Sequence, residues 1–265
     1  ISFLIILNII IFINFEKLSK KLNFFDEPNS KRKIHYKPVA NIGGIIIFIN
    51  IVALVIYQIF IQQEKTYLLI LLPFISLILL IGLIDDRKDL NPNLKILLFT
   101  VIIFILIFQS KNYLITNLQM SFLEKKIEFG IISYFFTIFC FLAFINSINM
   151  FDGINLHTSI YASFVVIIFL LKNQFVDLCV AILIPILFFS YFNYKNKCFI
   201  GNNGTYLLSF IFSCLFISSY NKSYLFLPEE IFLIMFLPGV ELIRLTFSRL
   251  LKKKHPFKAD KNHVH

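Results

Sequence analysis

Apolar runs approaching twenty residues recur from one end of this 265-residue chain to the other, and that repetition limits the fold more than any other feature. A water-soluble domain has one core to fill, and 58% hydrophobic residues against 15% charged, with 34 Phe and no Trp, would overfill it. Lipid offers no water to backbone N–H and C=O groups, so each run is predicted to be a helix. The sequence reads as an all-α, polytopic membrane bundle of about nine spans. They run approximately from Ile1 to Phe15, Ile42 to Ile61, Tyr67 to Ile84, Leu94 to Phe108, Ile131 to Ile148, Ser159 to Leu171, Val176 to Phe192, Tyr206 to Ser219 and Ile231 to Leu251. Asn91-Pro92 is a start signal for the fourth, and Pro73, Pro185 and Pro238 are expected to kink their helices. Residues 1–265 are expected to form one membrane-embedded domain cut short at both ends, since Ile1 lies inside an apolar segment and His265 inside a basic one. No cleavable leader is expected in Ile1 to Phe15, which lacks a basic start and a small-residue cleavage site.

Charge placement orients the bundle. Residues 16–39, 85–93, 148–158, 193–204 and 252–265 hold sixteen Lys and Arg, while the opposite loops hold six. The first face is therefore predicted to be cytoplasmic, and the net charge of +10 belongs to membrane topology rather than to nucleic acid. All five histidines fall on that face, with Asp26, Asp85, Asp86, Asp89, Asp152 and Asp260. Such a collection suits a charged, water-soluble substrate at the inner membrane surface. The four cysteines lie far apart without metal or redox spacing and are read as packing residues.

Five polar segments carry candidate chemistry. The first runs from Asp26 to Gly44 and contains Asn29, Lys33 and His35, donors suited to phosphate, before Gly43-Gly44, which allow close backbone approach. The second, Asp85-Asp86, sits at a helix C-terminus, where anions need a cation; Arg87 and Lys88 could supply it, and so could a divalent metal carrying diphosphate. Consecutive helical residues point about 100° apart, so the two acids are expected to have separate tasks. In the third, Asn146 and Asn149 share a helical face that Asp152 would extend, unless Asn and Gly153 simply cap the helix. The fourth, Gly201-Asn202-Asn203-Gly204, is by itself only a turn. The tail holds His263-x-His265, which suits phosphate contact better than a metal site, or a basic patch on lipid headgroups.

In this order the segments resemble the polyprenyl-phosphate N-acetylhexosamine-1-phosphate transferase family, glycosyltransferase family 4, related to phospho-N-acetylmuramoyl-pentapeptide transferase. The matching pieces are Asp26-x-Pro28-Asn29 with Lys33-x-His35 and Gly43-Gly44, then Asp85-Asp86, Asn146-x-x-Asn149-x-x-Asp152-Gly153, Gly201-x-x-Gly204 and Phe257-x-Ala259-Asp260-x-x-His263-x-His265. The tail is similar to the WecA-type branch. The resemblance implies transfer of a sugar 1-phosphate from a UDP-sugar to undecaprenyl phosphate with release of UMP, the first membrane step of cell-envelope polysaccharide synthesis. It implies Mg²⁺, with Mn²⁺ as an alternative, and an active site facing the cytoplasm of the bacterial inner membrane. Asp85, Asp86 and Asp152 take the catalytic roles by this resemblance. Asn29, Lys33, His35, Asn146, Asn149, Asn155, His263 and His265 take substrate, and a homodimer, if formed, would meet through helix faces.

Two departures stand out. The family's Gly-Asp-x-Gly-Ser, whose Asp binds metal, reads Gly-Asn202-x-Gly-Thr205 here, leaving Asn202 a weak ligand beside Asp152. Asn155 replaces the second acid of the third segment, and Leu156-His157 replaces Gly-Leu. Two competing readings remain: a catalytically altered scaffold, suggested by Asn202, and a lipid or solute transporter, which would place ionisable groups near the midplane rather than at helix ends.

Overall fold

A computed structural model of the chain describes residues 1–22, 24–26, 38–62, 67–223 and 225–253. The fold is an all-α membrane bundle with, among the described residues, eleven α-helices and five strands of two or three residues. Among the described residues, five helices are long and apolar enough to cross a membrane, or seven if each of two bent pairs counts as one span.

The chain divides into two compact units. The first comprises Ile1–Asp89 and Asp152–Leu208. It contains α1 (Ser2–Ile13), α2 (Phe15–Leu22), α3 (Gly43–Tyr57), α4 (Leu68–Lys88), α7 (His157–Leu171), α8 (Val176–Tyr194) and the start of α9 (Gly201–Ser223). Helix α8 packs on α1, α3 and α7. Phe12 stacks on Phe188 and Phe192 at 5.7 and 5.0 Å, filling the α1–α8 contact with ring area. Three short strands lie at one end of the unit. β1 (Phe25–Asp26) is antiparallel to β2 (Val39–Asn41), and β2 is parallel to β5 (Cys198–Phe199), in the register Ala40 opposite Cys198. This pairing leads the chain straight from Asn41 into α3 and from Phe199 into α9.

The second unit comprises Leu90–Phe151 and the described residues from Ser209 on. It contains α5 (Pro92–Gln109), α6 (Ile132–Phe151), α10 (Pro228–Ile234), α11 (Phe236–Leu251) and the hairpin β3 (Asn117–Leu118) with β4 (Ile127–Glu128). Helix α6 packs on α5 and α11. Phe141 and Phe144 of α6 meet Phe210 and Phe216 of α9, each pair 5.8 Å apart. Outward residues such as Phe135, Phe139 and Phe247 are more than 60% exposed, as expected of surfaces solvated by acyl chains.

Several expectations change in detail. The Asn91 cap holds: its Oδ1 accepts the Asn93 N–H at 3.0 Å, with Pro92 at the first helical position. The first and last spans are bent pairs, α1 with α2 at 64° and α10 with α11 at 69°. The first bend falls at Asn14, whose Nδ2 donates back to the Ile10 carbonyl at 2.9 Å. The second falls at Met235, not at Pro238, which lies in the first turn of α11 where a missing N–H costs nothing. Pro73 and Pro185 sit inside continuous helices. Gly201–Gly204 is not a turn but the first turn of α9, and α7 spans only 15 residues.

Helices α1 and α3 are joined by a pair of fully buried carboxamides. Asn8 Nδ2 donates to Asn50 Oδ1 at 2.7 Å and Asn50 Nδ2 to Asn8 Oδ1 at 3.2 Å, while each also donates to the carbonyl four residues back. Interhelical bonds of this kind contribute on the order of 1 kcal/mol in a membrane. Asn8→Leu and Asn50→Leu should each lower the unfolding midpoint. The double variant should lose less than the sum, because each single change strands the partner's amide.

Candidate active site

The first unit brings Asp85, Asp86 and Asn202 together and adds two residues that sequence reasoning passed over, Asn203 and Tyr206. Helix α4 extends to Lys88, so both acids lie in its last turns, where its own dipole is unfavourable to them. The opposing field comes from α9. Asp86 Oδ1 accepts the Asn202 N–H at 2.8 Å, and Oδ2 accepts the Asn203 N–H at 3.0 Å and Asn203 Nδ2 at 2.6 Å. Asp86 thus acts as a cap supplied from another helix, meeting the unbonded amides of the α9 N-terminus with a full negative charge. Asp85, 3% exposed, accepts the Tyr206 hydroxyl at 2.8 Å on Oδ2. The two acids take different partners, and Arg87, an alternative source of positive charge, has its guanidinium 4.0 Å over the Phe24 ring.

Glycines make this closeness possible. A Cβ on Gly82 of α4 would overlap the Asn203 backbone, with Asn203 N at 2.8 Å, and one on Gly44 of α3 would overlap Asn203 Oδ1 and the Gly204 N–H. Gly201 has φ +68°, a conformation that favours glycine, and a Cβ there would overlap Asn41 Oδ1. Asn41 Oδ1 and Asn203 Oδ1 are both buried without a hydrogen-bond donor among the described residues. Each faces the glycine Cα–H that a methyl would replace, at Gly201 and Gly44 respectively. Such C–H···O contacts are weak, about 0.5–1 kcal/mol, but they account for the two orphaned oxygens and for the glycines opposite them.

Asp152 follows α6 directly, the helix ending at Phe151, and it stands in the first unit with Asn155. Its Oδ1 accepts the Thr158 hydroxyl at 2.6 Å, another contact not foreseen from sequence. Burial pushes the Asp152 carboxyl up to about 6; the Thr158 bond opposes this and the nearby Asp86 charge adds to it. The loop from Asp152 to α7 is clamped by Asn193, which is 6% exposed. Asn193 Oδ1 accepts the Leu156 N–H at 2.6 Å, and its Nδ2 donates to the Cys198 carbonyl at 2.8 Å. Asn155 Nδ2 donates to Asn196 Oδ1 at 2.6 Å. Leu156 itself has φ +67°, so the clamp holds a branched side chain in left-handed backbone space.

Asn146 and Asn149 lie on α6 in the second unit, both partly buried, and Asn146 Nδ2 donates to the Leu142 carbonyl at 2.7 Å. Asn29, Lys33, His35, His263 and His265 lie outside the described residues. Among the described residues, no three of His, Cys, Asp and Glu come together closely enough to hold a metal ion. A magnesium ion needs fewer, since it is commonly held by one or two carboxylates plus substrate phosphates and water. Asp152, whose carboxylate accepts the Thr158 hydroxyl through Oδ1 and lies within reach of the Asp86 charge, fits that sparser arrangement.

Two outcomes follow from the Asp152 loop. Leu156→Gly should hold or raise stability, by up to about 1 kcal/mol, because it removes left-handed strain, whereas Leu156→Ala should not; thermal unfolding distinguishes them. Because the folded Asp152 binds its proton more tightly than the unfolded chain, its contribution is fully present below about 3.8 and is lost as pH rises through about 6. The midpoint of the chelator-treated protein should therefore fall between about pH 4 and about pH 6 by more than that of Asp152→Asn, as a pH series of melts would record.

A model described as glycosyl transferase family 4 matches residues 67–220, which include Asp85, Asp86, Asp152 and Asn202. The chain is 27% identical over 262 residues to the undecaprenyl-phosphate alpha-N-acetylglucosaminyl 1-phosphate transferase of Escherichia coli strain K12, covering 94% of this chain and 70% of that protein. It is 26% identical over 278 residues to the protein of the same name from Salmonella typhi, covering 100% and 74%. It is also 26% identical over 260 residues to the probable undecaprenyl-phosphate N-acetylglucosaminyl 1-phosphate transferase of Bacillus subtilis strain 168, covering 94% and 71%. The matched stretch takes in more than half of the chain, and the chain belongs to glycosyl transferase family 4.

Proposed function

We propose that this protein transfers a sugar 1-phosphate, an N-acetylhexosamine 1-phosphate by its relatives' names, from a UDP-sugar to undecaprenyl phosphate and releases UMP. The observation that carries the reading is the gathering of Asp85, Asp86 and Asp152 in one compact unit within the family-matched stretch. In the reaction, an oxygen of the lipid phosphate forms a bond to the sugar-proximal phosphorus. The bond from that phosphorus to the bridging oxygen breaks, and UMP leaves with that oxygen.

Asp152, with Asn202 as a weaker neutral oxygen, would hold Mg²⁺, or Mn²⁺ in its place. The ion would supply neutralisation of diphosphate charge. Asp86 fixes the α9 N-terminus, and Asp85 or Asp86 would position or deprotonate the lipid phosphate. Thr158 and Asn193 hold the Asp152 loop in place. Asn29, Lys33, His35, His263 and His265 would contact phosphates, and Asn146, Asn149 and Asn155 the nucleotide or sugar. We also take α7 and α9 as spans, which with the five long helices and two bent pairs makes nine. By the distribution of Lys and Arg, the acids then face the cytoplasm of the inner membrane. The chain acts as one membrane domain, and a homodimer would join through helix faces.

Purified protein given undecaprenyl phosphate, Mg²⁺ and a panel of UDP-sugars should release UMP only when lipid and metal are both present. Asp152→Asn and Asp86→Ala should lower that rate by at least about 100-fold. Asn202→Asp should raise turnover at limiting Mg²⁺, since a charged ligand replaces a neutral one. Absence of UMP release with every sugar tested would instead support a scaffold that has lost catalysis.

A further inference from the structure

Asp85 and Asp86 are consecutive carboxylates at a helix end, and two such charges in a weakly polar setting need a counter-charge, a shared proton or a full set of donors. The donors are present. Asp86 receives three N–H groups from Asn202 and Asn203, and Asp85 receives the Tyr206 hydroxyl, all from the first two turns of α9. Asn202 contributes through its backbone, so that bond does not depend on its side chain. Asn203 contributes through both backbone and side chain. Its orientation is fixed, because Nδ2 also donates to the Asn41 carbonyl at 3.3 Å while Oδ1 faces the Gly44 Cα–H. Asn203 is fully buried, and Tyr206 is 3% exposed.

We infer that Asn203 and Tyr206 are positioning residues that fasten the Asp85–Asp86 pair to α9 with neutral donors, so that the pair keeps its place without a bound cation. This goes beyond the proposed reaction and rests on it only in placing the pair within the active centre. Loss of either donor removes one hydrogen bond from the pair in a buried position, and a divalent cation can then offset that loss. The donors and the metal are thus alternatives at this pair, which a purely structural role for the two residues would not make them.

The test is thermal unfolding of the purified full chain, stripped with chelator and then measured with and without Mg²⁺ alone. Asn203→Asp keeps the side-chain shape but turns the donor into an acceptor. It should lower the chelated midpoint and gain several degrees more from Mg²⁺ than the wild type does. Tyr206→Phe should shift in the same direction by less. The reciprocal exchange, Asp86→Asn with Asn203→Asp, restores one amide and one carboxylate at the contact; it should recover most of the midpoint and remove the extra Mg²⁺ response. The inference is overturned if neither single variant gains more from Mg²⁺ than the wild type, or if the exchange behaves no better than Asn203→Asp. Should Asn203→Asp fail to fold, the Mg²⁺ response of Tyr206→Phe decides alone. UMP release by the wild type is measured separately, so an inactive protein would reject the proposed reaction and leave this comparison intact.

Discussion

The arrangement of the acidic site depends on one charge meeting one helix end. Asp86 lies where the dipole of α4 disfavours an anion, and it is held there because the first turn of α9 presents unbonded amides to it. Each helix resolves a difficulty of the other: α9 gains a cap and α4 gains a neutralised carboxylate. The contact also fixes where α9 starts, and the β2–β5 pairing sets Asn41 opposite Phe199, two residues before that start. The acids are therefore fastened by short-range bonds to regular structure rather than left on loops.

The Asp152 loop is built differently. Here a turn of non-regular backbone is held by side chains, with Asn193 bridging Leu156 and Cys198 and Thr158 reaching back to the carboxylate. Leu156 stays in left-handed space because these bonds outweigh its strain, which is of order 1–2 kcal/mol for a residue with a Cβ. Backbone strain of this kind is common where a side chain must be offered at a fixed angle. A rigid acidic pair and a strained, clamped acid thus occur in the same unit.

Much of this is legible in the sequence wherever the cause is local. Asn91-Pro92 starts α5 because a cap and an imino acid act within one turn, and the long apolar runs are helices because lipid leaves no other choice. Asp85, Asp86 and Asp152 stand out by residue type at the ends of apolar runs. Their partners do not, since Asn203 is 117 residues from Asp86 and Tyr206 is 121 from Asp85, and no periodicity links such positions. Gly201 to Gly204 reads as a turn from composition, yet it opens a helix, because a capping carboxylate from elsewhere satisfies its first amides. Composition points to Pro238 for the last bend because proline is the visible helix breaker, although a first-turn proline breaks nothing and the bend falls at Met235. Thr158 and Asn193 carry no motif at all; their roles exist only once α7 and α8 have brought them to the loop.

The contacts between carboxamide oxygens and glycine Cα–H groups carry an evolutionary consequence. Positions 44 and 203 share a single small volume, as do positions 41 and 201, so a side chain gained at either glycine must displace what lies opposite it. A methyl acquired at position 44 would meet the Asn203 carbonyl carbon and the Gly204 nitrogen as well as the amide oxygen, so that position stays glycine even in a descendant that has given up the amide at 203. At positions 41 and 201, where the overlap is with side-chain atoms, inheritance should be coupled, recording in a pair of columns the contact that a single sequence conceals.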